Sequence, residues 1–454
     1  MPCVSRVKRP KPGPKSFLTT LRRCYLRFGA QDVRRENGQE DLQHVPTLRF
    51  IQLSDLHLGA PLAWLGADRR AERKREQRRA LEAAIQAAID RKATAILVPG
   101  DLFDAEGVDA ETLAFAVHAF ARQGCPPVFI TPGNHDPCTT NSAYWNARLL
   151  AARGWEWPAH VHVFRSPAWS RFDLPSAPVT VWGRSFVSSS PAFERPLETR
   201  ALPAAGDPAR AHIAVFHGSR EGACPPGQQV TAPFSTTEVL ASPFAYLAVG
   251  HYHQPSRIDA PDGGGVRLAY AGSTIALNAR ETGEHGVLEV RLNPSKRTAE
   301  IEPIVLDERR VHELTVDVTG AASADAIDYR LSEALLGAGV TDRDIVRVRL
   351  TGRVVRGVRY ESAGPDLAAQ VFWLKLDLRE LRPDYDLEGI RAREPTTTED
   401  RFTHALLDEL DTETDPAKRA RLLSALYYGL DAFRLGEVAP AWEQMAAPIE
   451  EVEA

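Results

Sequence analysis

Five short polar tracts, each placed directly after an apolar run of strand length, constrain this chain more than any other feature. They are Asp55-Leu56-His57, Gly100-Asp101-Leu102-Phe103-Asp104, Gly133-Asn134-His135-Asp136, His217-Gly218 and Gly250-His251-Tyr252-His253. The runs before them, such as Leu48-Arg49-Phe50-Ile51-Gln52-Leu53 and Ala95-Ile96-Leu97-Val98, read as buried strands. In open α/β sheets, ligands gather in the crevice beyond the carboxyl ends of the strands. A fold that honours all five tracts therefore brings their side chains to one spot. Glycines at these ends let the backbone turn sharply and approach a ligand.

The rest of the chain fills in an α/β layer structure. An arginine-rich amphipathic helix is expected over 69–90 and a second over 110–123, with a strand over 128–131 stopped by Pro132-Gly133. Further strands are expected at 161–164, 179–182, 212–216, 246–249, 266–270, 286–292 and 299–305, with Asp262-Gly263-Gly264-Gly265 as a turn. This pattern predicts two sheets packed face to face, a β-sandwich flanked by helices. After Leu306 the pattern restarts, with a strand over 311–318, a helix over 322–336 and strands over 345–350 and 371–378. The domain expectation is thus a basic, disordered extension over 1–46, a main domain over 47–306 and a small α+β cap domain over 307–380. A linker and C-terminal helices occupy 381–454. A chain of 454 residues is too long for one ordinary core.

Composition narrows the classes. The net charge of −5 argues against binding nucleic acid by bulk electrostatics alone, although bound divalent cations would add positive charge where a phosphate sits. No apolar run approaches the ~20 residues that span a bilayer, and the apolar stretch near the N-terminus is broken by Arg22 and Arg23. The cysteines Cys3, Cys24, Cys125, Cys138 and Cys224 are odd in number and form no C-x-x-C pair. They read as reduced thiols of a cytoplasmic protein.

The residue types in the five tracts point to metal chemistry. Imidazole, carboxylate and carboxamide together suit Mn²⁺, Fe²⁺ or Zn²⁺ better than Ca²⁺. There are enough donors for two ions about 3.5–4 Å apart that share a carboxylate. Such a pair can bind opposite oxygens of a phosphate and lower the pKa of a shared water, giving a hydroxide nucleophile at neutral pH. Each tract alone is ambiguous: a D-x-H at a strand end can be a hydrogen-bonded turn, and G-D-L-F-D can be a turn followed by a helix cap. Their joint order is what carries the reading.

That ordered set resembles the calcineurin-like metallophosphoesterase superfamily. The resemblance implies that 47–306 is a metallophosphoesterase catalytic domain with two divalent ions, Mn²⁺ above Fe²⁺ or Zn²⁺. One ion would take Asp55, His57 and His253, the other Asn134, His217 and His251, with Asp101 bridging. His135 would reach the phosphate and the leaving oxygen, and Asp104 would pair with His135 and favour its charged form. Asp136 would be structural.

A finer resemblance covers most of 48–306. Ser54-Asp55-Leu56-His57-Leu58-Gly59, Gly100 to Asp104, and Ala269-Tyr270-Ala271-Gly272-Ser273-Thr274 leading into Glu281 and His285-Gly286 are similar to SbcD-type DNA-repair nucleases. The tract from Tyr144 to Phe164 and His217-Gly218-Ser219 look most like the YhaO-type branch of bacterial exonuclease homologues. This implies a Mn²⁺-dependent DNA exonuclease or endonuclease acting in DNA repair, a cap that governs substrate access, and an SbcC-like coiled-coil ATPase partner. A homodimer is compatible with the same resemblance. The match weakens in the cap and is only positional in the C-terminal helices.

Two rivals use the same residues differently: a small-molecule phosphoesterase acting on nucleotides or cyclic nucleotides, and a scaffold that keeps a vestigial site. Gly272-Ser273 reads either as a loop that contacts the substrate backbone near the metals or as a tight turn. His118, His160, His162, His212, His285 and His312 match no ligand position and read as surface or core histidines.

Overall fold

A computed structural model describes residues 47–436 and 438, apart from 106–107, 146–149, 151–153, 204–205, 226–227 and 262. The basic extension over 1–46 lies outside the described residues.

The first sheet is built from β1 (Leu48–Gln52), β2 (Ala95–Val98), β3 (Val128–Ile130), β4 (Val161–Val163), β11 (Gly286–Asn293) and β12 (Thr298–Val305), in the order β12-β11-β1-β2-β3-β4. The strands β1 to β4 run parallel, while β11 and β12 complete the sheet antiparallel. Its parallel strands are joined through helices α1 (Ala67–Asp90) and α2 (Ala110–Phe120), as parallel pairing requires a crossover. Strand periodicity then sorts the side chains. Phe50, Leu97 and Phe129 face inward to the second sheet, whereas Ile51, Ile96, Val98, Val128 and Ile130 pack outward on Leu81, Ala84 and Ile85 of α1 and on Leu113, Ala116 and Phe120 of α2. Both faces are covered, which is why β2 reads as an unbroken apolar run.

The second sheet contains β5 (Ser170–Asp173), β6 (Val179–Gly183), β7 (Ala211–His217), β8 (Tyr246–Gly250), β9 (Ser256–Asp259) and β10 (Val266–Tyr270), in the order β5-β6-β7-β8-β10-β9. Val179, Val181, Ile213, Val215 and Ala248 meet Phe50, Leu97 and Val290 in the sandwich interior. The outer face buries Phe216, Leu247, Val249 and Leu268 against Val239 of the short helix α3 (Thr236–Ala241). The fold is therefore the expected two-sheet α/β sandwich with helices outside.

In and around this second sheet, three elements were not expected from the sequence. The edge strands β5 and β9 leave half or more of their side chains exposed and lack an apolar run. Helix α3 carries a Ser235–Glu238 capping box.

A third sheet, β13 (Val311–Asp317), β14 (Ile345–Val354) and β15 (Trp373–Pro383), pairs entirely in parallel. Helix α4 (Ala324–Gly337) makes the first crossover and covers one face with Ile327, Leu331 and Leu335. The second crossover contains the short helix α5 (Pro365–Ala368). The last strand runs through Pro383, into the segment read from sequence as linker. Beyond it, α6 (Leu387–Ala392), α7 (Thr398–Thr412) and α8 (Pro416–Leu435) share a small core of Tyr385, Ile390, Leu410, Leu426 and Leu430.

Candidate metal centre

All five polar tracts stand at or just past the carboxyl ends of β1, β2, β3, β7 and β8. The backbone is bent hard to aim them. Asp55 (φ 50°), His57 (φ 49°), Asp101 (φ 51°) and His251 (φ 114°) all lie in the left-handed region, half of the eight non-glycine residues that do so among the described residues. Holding a non-glycine residue there costs roughly 1–3 kcal/mol, and such strain clusters where a fold must fix functional groups. Two glycines make room for the same geometry. A Cβ at Gly133 would stand 2.2 Å from Asp101 Oδ1, and one at Gly100 (φ 99°) would stand 2.2 Å from His217 Nδ1.

The donor atoms fall into two sets that share one oxygen. Asp101 Oδ2 lies 3.2 Å from His217 Nε2 and 3.7 Å from His57 Nε2. On one side, Asn134 Oδ1 and His251 Nδ1 come within 3.1 and 3.2 Å of the same His217 Nε2. On the other, Asp55, His57 and His253 each turn a ligand atom into one space no more than 4.8 Å across. Asp55, His57, Asp101, His217 and His251 are buried, while Asn134 and His253 are partly exposed.

Each histidine is oriented by its other ring nitrogen. His57 Nδ1 meets Asp104 Oδ1 at 3.1 Å, His217 Nδ1 meets the Pro99 carbonyl at 3.0 Å, and His253 Nδ1 meets Glu281 Oε1 at 2.7 Å. These contacts leave Nε2 as the nitrogen that could take an ion. In His251 the order is reversed: Nε2 lies 2.7 Å from the Gln229 carbonyl, which leaves Nδ1. A carboxylate or carbonyl on the distal nitrogen is the usual support for a metal-bound imidazole, because it sets tautomer and ring angle.

A divalent ion at each set fits these residues. His57 Nε2 is buried without any hydrogen-bond partner, a costly state for a ring nitrogen unless an ion takes its lone pair. The buried charges answer one another across the same space. Burial alone would raise the Asp101 carboxyl, yet His217, His57 and His135 hold it far below the usual carboxylate range. His217 is raised to about 9: burial opposes its charge, and Asp101 and Asp55 outweigh that. Likewise, His253 is raised to about 9 against burial by its bond to Glu281. Burial and the neighbouring His217 push His251 down to about 3.

His135 stands apart from the donor sets. Its backbone N–H donates to Asp101 Oδ1 at 3.0 Å, its ring makes an edge contact with His57, and its side chain is 45% exposed. Asp104 lies against His135 as expected, with its Oδ1 4.0 Å from His135 Nδ1, but the same oxygen is closer to His57 Nδ1, at 3.1 Å, and His135 Nδ1 also meets the Asp104 main-chain carbonyl at 3.0 Å. The buried His57 must find its acceptor inside the protein, whereas the exposed His135 can use water.

Asp136 is buried and structural. It accepts from Gly133 N, Phe103 N and the Tyr144 hydroxyl at 2.7, 3.2 and 2.5 Å, which ties the second tract to the third.

The residues to which sequence reasoning gave no part in bracing the histidines are Glu281, Ser273, Pro99 and Gln229. Ser273 Oγ donates to Glu281 Oε2 at 3.0 Å and meets His285 Nδ1 at 3.1 Å. The Gly272-Ser273 tract and His285 thus brace the acid beneath His253. The acid's position in the tract after β10 was the available signal. The two carbonyls carry none, since any residue supplies a carbonyl.

Residues 48–255 match the family model described as calcineurin-like phosphoesterase, so this stretch is a calcineurin-like metallophosphoesterase domain, a phosphoester-hydrolase family. No curated protein matches the sequence. Among solved structures, the chain is similar to the protein TT1561 of Thermus thermophilus, at 16% identity over 57% of this chain and 99% of that one, with a TM-score of 0.32. It is also similar to a dimetal phosphatase from Danio rerio, at 11% identity over 56% of this chain and 98% of that one, with a TM-score of 0.32. Among the described residues, no helix is long and apolar enough to cross a membrane.

Proposed function

We propose that the calcineurin-like metallophosphoesterase domain of this chain hydrolyses DNA phosphodiesters, as an exonuclease or endonuclease of the SbcD type acting in DNA repair. The observation that supports the reading most is the shared carboxylate: a single oxygen of Asp101 stands between His57 Nε2 and His217 Nε2. Asp55, His57 and His253 would hold one ion, and Asn134, His217 and His251 the other, with Asp101 common to both. Mn²⁺ suits this mix of imidazole, carboxylate and carboxamide. Two such ions, when bound, supply Lewis-acid stabilisation of a phosphoryl group and an activated nucleophile at neutral pH.

The chain's own residues supply the rest. The Asp104 carbonyl holds His135 Nδ1, so Nε2 is the ring's uncommitted nitrogen and can give a proton to the leaving oxygen. Asp104, Glu281 and the carbonyls of Pro99 and Gln229 keep the four ligand rings from turning. The third sheet and the helices after it favour a polymer over a small ester, because a compact phosphodiesterase needs neither. The same reading includes an SbcC-like coiled-coil ATPase as partner, and helix α8 exposes Leu423, Phe433 and Leu435 for contact.

The test compares turnover of linear DNA, a chromogenic phosphodiester and nucleotides by purified protein with Mn²⁺. DNA should be degraded, and His135→Ala should lose about 10²–10⁴ in rate while keeping its metal. Turnover of the small esters with DNA untouched would move the assignment to a small-molecule phosphoesterase. Near-zero metal content at Mn²⁺ saturation would leave only a vestigial scaffold.

A further inference from the structure

We propose that docking of the third sheet is linked to ion binding at the Asp55–His57–His253 position, through the loop 273–281 with Glu281 as positioning residue, and that the Asn134–His217–His251 position is independent of it. The inference rests on the two-ion reading above.

His253 presents Nε2 only while its Nδ1 is held, and the holder is Glu281, a buried carboxylate 2.7 Å away. Its own loop fixes that carboxylate. Asn278 Nδ2 donates to Oε1 at 2.6 Å, while Leu277 N and Ser273 Oγ donate to Oε2 at 2.7 and 3.0 Å. The middle of the loop in turn rests on the third sheet. Ala276, Leu277 and Ala279 share one apolar cluster with Val311 of β13, Ile345 of β14, and Phe372 and Trp373 at the start of β15.

The loop after His57 enters the same cluster. It contributes Ala60, Leu62, Trp64 and Leu65, and the Ala60 N–H donates to the His57 carbonyl at 2.9 Å. Trp64 joins the three parts: its indole N–H donates to the Leu277 carbonyl at 2.8 Å, and its ring meets Trp373 edge-on at 4.9 Å. A polar strap runs parallel to this packing. The fully buried Arg73 of α1 donates to the Ala276 carbonyl at 2.9 Å and pairs with Asp307, which accepts from Ala276 N at 2.8 Å. Arg309 pairs with Glu76 at 2.6 Å and lays its guanidinium over Phe372 at 3.3 Å.

Both segments that set the first position therefore lean on the third sheet. The second position touches the first through Asp101 and through Asp55, which accepts from His251 N at 3.0 Å, but its other supports, Pro99, Gln229 and Asp136, are absent from that cluster and strap. If one conformational state joins a docked sheet to a formed ligand set, each must stabilise the other by the same factor.

The test measures Mn²⁺ stoichiometry and affinity by calorimetry and elemental analysis on the full chain. Wild type should take up two ions. Glu281→Gln and Trp373→Ala should each weaken one ion by about 10–100-fold, the usual cost of losing outer support, and leave the other unchanged. A reciprocal measurement needs no variant at the sheet. Mn²⁺ should slow hydrogen exchange in 307–312, 343–346 and 371–374, and His253→Ala should abolish that slowing. Equal weakening of both ions, no weakening of either, or exchange indifferent to Mn²⁺ would overturn the linkage while two ions still bind. Fewer than two ions in wild type would sink the two-ion reading and the linkage with it.

Discussion

His251 faces His217 with its Nδ1, 3.2 Å from the Nε2 of that residue, and gives its own Nε2 to the Gln229 carbonyl. The other three histidines of the two donor sets have the opposite orientation. An N–H on the nitrogen facing each carbonyl or carboxylate fixes the tautomer. In Zn²⁺- or Cd²⁺-loaded protein, long-range ¹H–¹⁵N spectra should show His251 metallated at Nδ1 and His57, His217 and His253 at Nε2. Four identical patterns would contradict the orientation.

Asp101 Oδ2 stands against a histidine of each donor set, and its removal should be felt at both. Asp101→Asn keeps the shape and loses the charge that holds His217 at about 9. Both ions should weaken, by at least ~100-fold where one shared charge is lost, and turnover should fall with them. Calorimetric titration with Mn²⁺ checks this. Selective loss of a single ion would show that the carboxylate is not shared.

Metal uptake should release protons. His217 and His253 are raised to about 9, so both are charged at pH 7 in the metal-free protein, and each ion must displace one proton. Apparent affinity should rise about tenfold per pH unit per ion from pH 7 and level off above pH 9. Stability of the metal-free protein runs the other way. For a histidine whose folded pKa lies above the unfolded value, the contribution is fully present below about 6.5 and is lost as pH rises through 9. Titrations in buffers of different protonation enthalpy would count the protons, and a count near zero would refute the pairing.

What the sequence made legible and what it hid follow one physical division. Apolar runs ended by Gly100, Gly133 and Gly250 announce strand ends, because a core strand must be apolar and a tight exit needs glycine. The two-sheet fold and the meeting of eight distant side chains followed from that. The second contact of Asp104 did not. That its carboxylate reaches His57 as well as His135, and lies closer to the buried ring, depends on burial, and burial is a property of the finished packing. Edge strands such as Ser170–Asp173 stay hidden because half their side chains meet water. Helix α3 was not expected, although Ser235 and Glu238 carry the spacing of a capping box.

Asp136 should matter for stability before chemistry. Its carboxylate takes three donors from three segments, and truncation to alanine orphans Gly133 N, Phe103 N and the Tyr144 hydroxyl. Each buried donor left unpaired costs about 1–3 kcal/mol, so Asp136→Ala should lose several kcal/mol in denaturant unfolding. Asp136→Asn, which keeps an acceptor, should lose less. A variant as stable as wild type would mean that water replaces all three bonds.

The C-terminal helices should come loose from the third sheet through a single residue. Arg353 on β14 pairs bidentately with Asp431 of α8, at 3.1 and 2.6 Å, and lies over the Tyr427 ring at 4.2 Å. Asp431 is buried near the C-terminal end of that helix, and the Tyr385 hydroxyl donates to it at 2.6 Å. Deleting the arginine strands a buried carboxylate, which costs about 3–5 kcal/mol where the pair is fully buried and less here, since Arg353 keeps some contact with water. Arg353→Met retains most of the packing over Tyr427 and removes only the charge, so it isolates the ionic part. Hydrogen exchange should then rise in α6, α7 and α8, while β1 to β4 and the metal positions stay as they were. Uniform acceleration across the chain would mean that the helices and the sandwich unfold as one unit, and that Arg353 holds the whole protein and not a separable arm.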